Sequence, residues 1–210
     1  MGKICNIYPY IDSGEIDKDG YLEQIRICDT NDIDFLSRYK NGNIPIIKAG
    51  FAILIDGEPW NGHRNKATSN TVTWVYDKPE NSYQIVHAVC QLLELNNETI
   101  SVSFWDYSEA KFIRKDTKLH IVDFGLNSIE SPEFSEVEVD FLQFTTSIIA
   151  CAYELQSFVE KLLLNSEGDE QLARRIRSDF SVEIQRELNR KIIEKYLFYL
   201  KQKNKNAISD

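Results

Sequence analysis

The sequence predicts an α+β protein: a mainly antiparallel sheet with one packed helix, followed by a long C-terminal helical hairpin. Short β-branched and aromatic runs, punctuated by Asp-Gly, Asn-Gly and Pro, fill the first 140 residues. One amphipathic stretch, 79–95, interrupts them. From Phe141 to about Gln202 the apolar residues recur at helical spacing. Residues 1–140 therefore read as a β-rich part and 141–202 as a hairpin packed on it in one cooperative domain. A polar tail, 203–210, is expected to fray.

Residues 3–11 are apolar-rich and suit a first strand. Lys18-Asp19-Gly20 is a hairpin signal leading into a second, 21–28. Glu15, Asp17, Asp19 and Gly20 imitate the start of a calcium loop, but its twelfth position, which must supply a bidentate Glu, is Arg26. Thr30, Asn31 and Asp32 suit the cap of a short helix, 33–39, stopped by Asn41-Gly42. IPIIKAGFAILIDG is apolar on both faces and reads as a central strand, with 71–76 alternating as its neighbour.

Pro79 suits a first helical turn because its missing N–H costs nothing there. Tyr83, Val86, Val89, Cys90 and Leu93 give that helix one buried stripe. Strands are expected at 99–107, 111–114 and 118–124, and a looser stretch at 125–140. Then Phe141, Phe144, Ile148, Cys151, Leu155, Phe158 and Leu162 repeat at 3-4 spacing. Gly168 suits the left-handed position that ends this helix. Beyond it, Leu172, Ile176, Phe180, Ile184, Leu188, Ile192, Tyr196 and Leu200 recur every four residues. Such a repeat drifts by about 40° per step on a 3.6-residue helix, so a break is expected near 178–181.

The 210 residues are 42% hydrophobic and 27% charged, an ordinary globular balance. No apolar run is long enough to span a membrane, and the first residues lack the features of a signal peptide, so a cytoplasmic protein is expected. Gly2 has Asn6 where a myristoylation signal would have Ser or Thr. Cys5, Cys28, Cys90 and Cys151 are widely spaced among apolar neighbours. Buried reduced thiols are expected, not a metal site.

The net charge of −9 is unevenly placed. Residues 174–205 hold ten Lys/Arg and four Asp/Glu, which leaves −15 on the rest. So acidic a body repels nucleic-acid phosphates and steers toward basic partners. In the basic C-terminal segment Glu183, Glu187 and Glu194 interleave with Arg and Lys, as on a solvated helix face.

The chain has no phosphate-binding glycine loop, no G-x-S-x-G elbow and no H-E-x-x-H pair. Asp56, Glu58, His63 and Asp77, with Asp106, fall at predicted strand ends. Converging there, they could form an acid/base pair or bind magnesium, although turns also favour such residues. His87 precedes Cys90 by three residues, but Cys90 lies on an apolar stripe where thiols are inert. His120 should face away from Leu119 and Ile121. The 60–66 loop offers Trp60 as an aromatic anchor beside His63, Arg64 and Lys66. Glu130, Glu133, Glu136, Glu138 and Asp140 form an acidic run.

In size and charge the chain is similar to small acidic bacterial proteins that neutralise basic partners, such as immunity proteins for toxin nucleases. That resemblance implies a non-catalytic binding protein without metal or cofactor. Its basic protein partner would meet Trp60, His63, Arg64 and the carboxylates from Glu130 to Asp140. Neither nucleic acid nor membrane is expected as a partner. Two other readings stand beside it: a hydrolase-like enzyme with its site around 56–77, and a homo-oligomer joined through the helix at 141–164.

Overall fold

The computed structural model describes residues 5–16, 22–41, 49–55, 58–59, 79–94, 99–104, 108–123 and 136–209. The α+β class holds, with two four-stranded antiparallel sheets among the described residues in place of a single one. The first has the order β2-β1-β3-β4, formed by β1 (Cys5–Ile16), β2 (Leu22–Arg26), β3 (Ala49–Ile55) and β4 (Glu58–Pro59). The second is a meander of β5 (Thr99–Phe104), β6 (Ser108–Lys115), β7 (Lys118–Asp123) and β8 (Glu136–Asp140). Among the described residues five α-helices accompany them: α1 (Asp32–Lys40), α2 (Pro79–Glu94), α3 (Phe141–Asn165), α4 (Glu170–Asp179) and α5 (Val182–Ser209).

The apolar β3 has a strand on each side, and Ala49, Phe51 and Ile53 are buried. β1 runs further than its apolar start, to Ile16, with a register shift between Asp12 and Ile16. β2 ends at Arg26, where a 3₁₀ turn (Ile27–Asp29) buries Ile27 and swings Cys28 outward. Three cysteines are buried as expected; Cys28 is the exception, because the strand stops before it. Asn31 caps α1 by accepting hydrogen bonds from the Ile33 and Asp34 N–H groups.

α2 and α3 touch both sheets, and α5 packs across the two of them. Contact on several sides explains why α2 buries Ile85, Ala88 and Leu92 as well as its expected stripe. All seven α3 heptad side chains are buried within the chain. A homo-oligomer through this helix would have to use its outer side, where Tyr153 and Leu164 are exposed. One continuous apolar core runs from Cys5 to Ile192, so both halves of the chain share it. Among the described residues, no helix is long and apolar enough to cross a membrane.

The C-terminal region departs from expectation in two ways. The break itself falls where expected, at Phe180 and Ser181, where Ser181 takes a left-handed φ of 46°. After it, α5 buries Val182, Gln185, Asn189 and Ile192, while Ile184, in the apolar four-residue repeat, is half-exposed. The break resets the helical phase, so a 3-4 stripe containing two polar residues faces inward. The second departure is at the end: α5 continues to Ser209, past the limit expected near Gln202. No Gly or Pro interrupts the segment KQKNKNAIS, whose Lys, Gln and Ala favour helix.

Candidate functional site

The expected loose stretch 125–140 ends in a regular strand. Along β8, Val137 and Val139 point into the core while Glu136, Glu138 and Asp140 point out. Among the described residues, β8 is the outermost strand of its sheet, paired with β7. Its outward carboxylates have modest intramolecular roles. Glu136 meets His120 Nε2 at 2.6 Å, and Glu138 lies 3.7 Å from Lys118 Nζ. His120 faces outward, opposite to the buried Leu119 and Ile121, as the alternation requires. The Asp140 carboxylate accepts from the Gln143 N–H and caps α3. The Glu136 and Glu138 side chains remain 59% and 60% exposed. Exposed pairs of this kind are worth less than about 1 kcal/mol, so an arriving cation can exchange for Lys118 or His120.

The basic segment is tied back to the acidic body. Arg186 bridges Glu160 and Glu183 at 2.8 and 3.1 Å, Lys195 meets Glu94 at 2.8 Å, and Lys191 meets Glu187 at 2.5 Å. Arg186 and Lys195 thus join α5 to α3 and α2, while the Glu183 and Glu187 pairs lie within α5 itself.

A second feature lies on the inner face of the same sheet. Arg114 is only 2% exposed. Its Nη1 donates to the Leu92 carbonyl and its Nε to the Asp116 carbonyl at 3.2 Å. Leu92 belongs to the last turn of α2, whose carbonyls lack helical partners and favour a cation. The guanidinium also stacks on Phe141 and Tyr199, 4.4 and 4.7 Å from the ring centres. Burial pushes its pKa below the ordinary value, opposed by Tyr199 and Asp116. The hairpin beside it is fixed: Asp116 has a φ of 53°, and the Thr117 carbonyl accepts from the Phe141 N–H at 2.9 Å. Arg114 opens onto a cleft of about 770 Å³ between the β6–β7 turn, the end of α2 and α5.

The cysteines are poor nucleophiles. Burial pushes the Cys5 thiol to about 12 and Cys90 to about 11. His87 is exposed while Cys90 is buried, so the pair does not meet a substrate together. Among the described residues, no three His, Cys, Asp or Glu gather closely enough to hold a metal ion.

No protein-family model, curated protein or solved structure matches the chain.

Several expected site residues lie outside the described residues: Asp56, Trp60, His63, Arg64, Asp77, Asp106, Glu130 and Glu133. Glu58 is described only in its backbone, as part of β4. Glu136, Glu138 and Asp140 are brought to one strand face. The Arg114 cleft was not anticipated, yet it had a sequence signal. Ala110, Phe112 and Arg114 share one parity on β6, which places a cation on the buried face.

Proposed function

We propose that the protein is a non-catalytic binding protein, whose acidic β8 edge receives a basic protein partner in the manner of an immunity protein. The observation that carries this reading is the outward row of Glu136, Glu138 and Asp140 on an outermost strand. Carboxylates on such a strand discourage pairing with a second copy of the same acidic chain. They also favour a segment rich in Lys or Arg, through complementary charge and main-chain pairing. The net charge of −9 speeds the encounter with a basic partner and makes it salt-dependent.

The test pairs wild type with the double variant Glu136→Lys and Glu138→Lys. A basic protein should be retained by wild type at low salt, released at high salt and lost by the variant. Asp140 is left unchanged because its loss would also remove the α3 cap. Equal retention by wild type and variant would overturn the reading.

A further inference from the structure

We infer that the cleft over Arg114 binds a small organic anion, with its carboxylate or phosphate on the guanidinium and its apolar body along Leu93, Phe198 and Tyr199. The volume of about 770 Å³ lies within the range of small-molecule sites. Arg114 lines the cleft and, among the described residues, forms no ion pair with a carboxylate. Asp116 offers it a backbone carbonyl. A guanidinium carries five N–H donors in a planar fork that fits carboxylate and phosphate. Two backbone carbonyls and the Tyr199 hydroxyl do not use them all.

Two of the carboxylates in the cleft already have cationic partners. Glu94 is engaged by Lys195 at 2.8 Å, and Glu194 by Arg190 at 2.9 Å. Around the opening stand Arg114, Asp116 and the exposed Lys203. The charges that line the cleft balance, with Arg114, Lys195 and Lys203 against Glu94, Asp116 and Glu194, in a chain of net charge −9. Phe198 is 63% exposed beside it and supplies an apolar wall. This site lies on α2, the β6–β7 turn and α5, and its argument does not depend on the basic-partner reading.

The test is a two-dimensional amide NMR titration of the full chain with benzoate, its neutral analogue benzamide, and inorganic phosphate. Benzoate should produce saturable shifts at residues 93–94, 114–117 and 195–203, and benzamide should not. Saturation by phosphate with benzoate silent would also support the anion site and assign a phosphate head group. Arg114→Lys keeps the charge but loses the fork, and should weaken binding about tenfold. Should that variant fail to fold, two exposed positions replace it. Lys203→Glu and Phe198→Ala should each weaken binding about threefold, with the fold intact. The inference fails if neither anion saturates these amides or if benzamide binds as well as benzoate. It also fails if the folded Arg114→Lys protein, or both substitutes, bind like wild type.

Discussion

Two arginines stack on tyrosines at opposite ends of α3, and they are balanced differently. Near its C-terminal end, Arg175 lies 4.0 Å over the Tyr39 ring and 3.6 Å from the Asp179 carboxylate, which also accepts from the Tyr39 hydroxyl at 2.5 Å. That stack closes on itself as cation, ring and anion, and Arg175 is 36% exposed. Near the N-terminal end, Arg114 is buried between Phe141 and Tyr199 with carbonyls for company and, among the described residues, no carboxylate in ion-pair contact; only the nearby charge of Asp116 supports it. Burying an unpaired charge is costly unless its hydrogen bonds are supplied. One stack is therefore a finished joint between α1 and the α4–α5 break, and the other a joint with unused binding capacity.

Removing the second arginine should have the largest effect. Arg114→Met leaves the Leu92 and Asp116 carbonyls without their donor and should cost about 3 kcal/mol in chemical denaturation. A cost below that of disturbing the Tyr39 stack would break the comparison.

Alkaline titration separates the two ends next. Tyr39 is pushed above its ordinary value of 10.0 by burial and by its bond to Asp179. A phenol raised in the folded state contributes stability fully below its ordinary pKa, and that contribution is lost as pH rises above it. The buried Cys5 thiol acts with the same sign from 9.0 to about 12. Unfolding should thus become easier from about pH 9 upward. Tyr39→Phe should flatten the part above pH 10.0, and Arg114→Met should not.

At neutral pH, Tyr39→Phe should cost only about 1 kcal/mol, since Asp179 keeps Arg175. The smallest effect is expected between the two stacks. Gln185 is 0% exposed, and neither its Nε2 nor its Oε1 has a hydrogen-bond partner among the described residues. Gln185→Met should raise the melting temperature slightly, a gain of about 1 kcal/mol or less. Destabilisation would show that the amide is satisfied in solution.

What was legible in the sequence is what local physics decides. The Asn31 cap, the Gly168 stop at φ 88° and the break before Val182 all follow from backbone and capping preferences. The inner stripe of α5 escaped because hydrophobic periodicity passes over polar residues. Asn189 faces inward because its Nδ2 reaches the Ala152 carbonyl and Gln156 Oε1, at 3.1 and 2.7 Å across to α3. Such partners are distant in sequence and cannot be read from spacing. The β8 strand is legible in the alternation of EVEVD, although three carboxylates in five residues mask the signal of its two valines. Of the expected contact surface, the Trp60, His63 and Arg64 loop lies outside the described residues, and the 136–140 carboxylates lie on one exposed face.

Amide hydrogen exchange across residues 136–140, with and without a captured basic protein, puts the docking of a partner on the acidic edge at risk. We expect β8 amides to slow on binding, and the slowing to vanish in the variant with Glu136→Lys and Glu138→Lys. Binding that leaves β8 exchange unchanged while protecting another surface would contradict the proposed role of this edge.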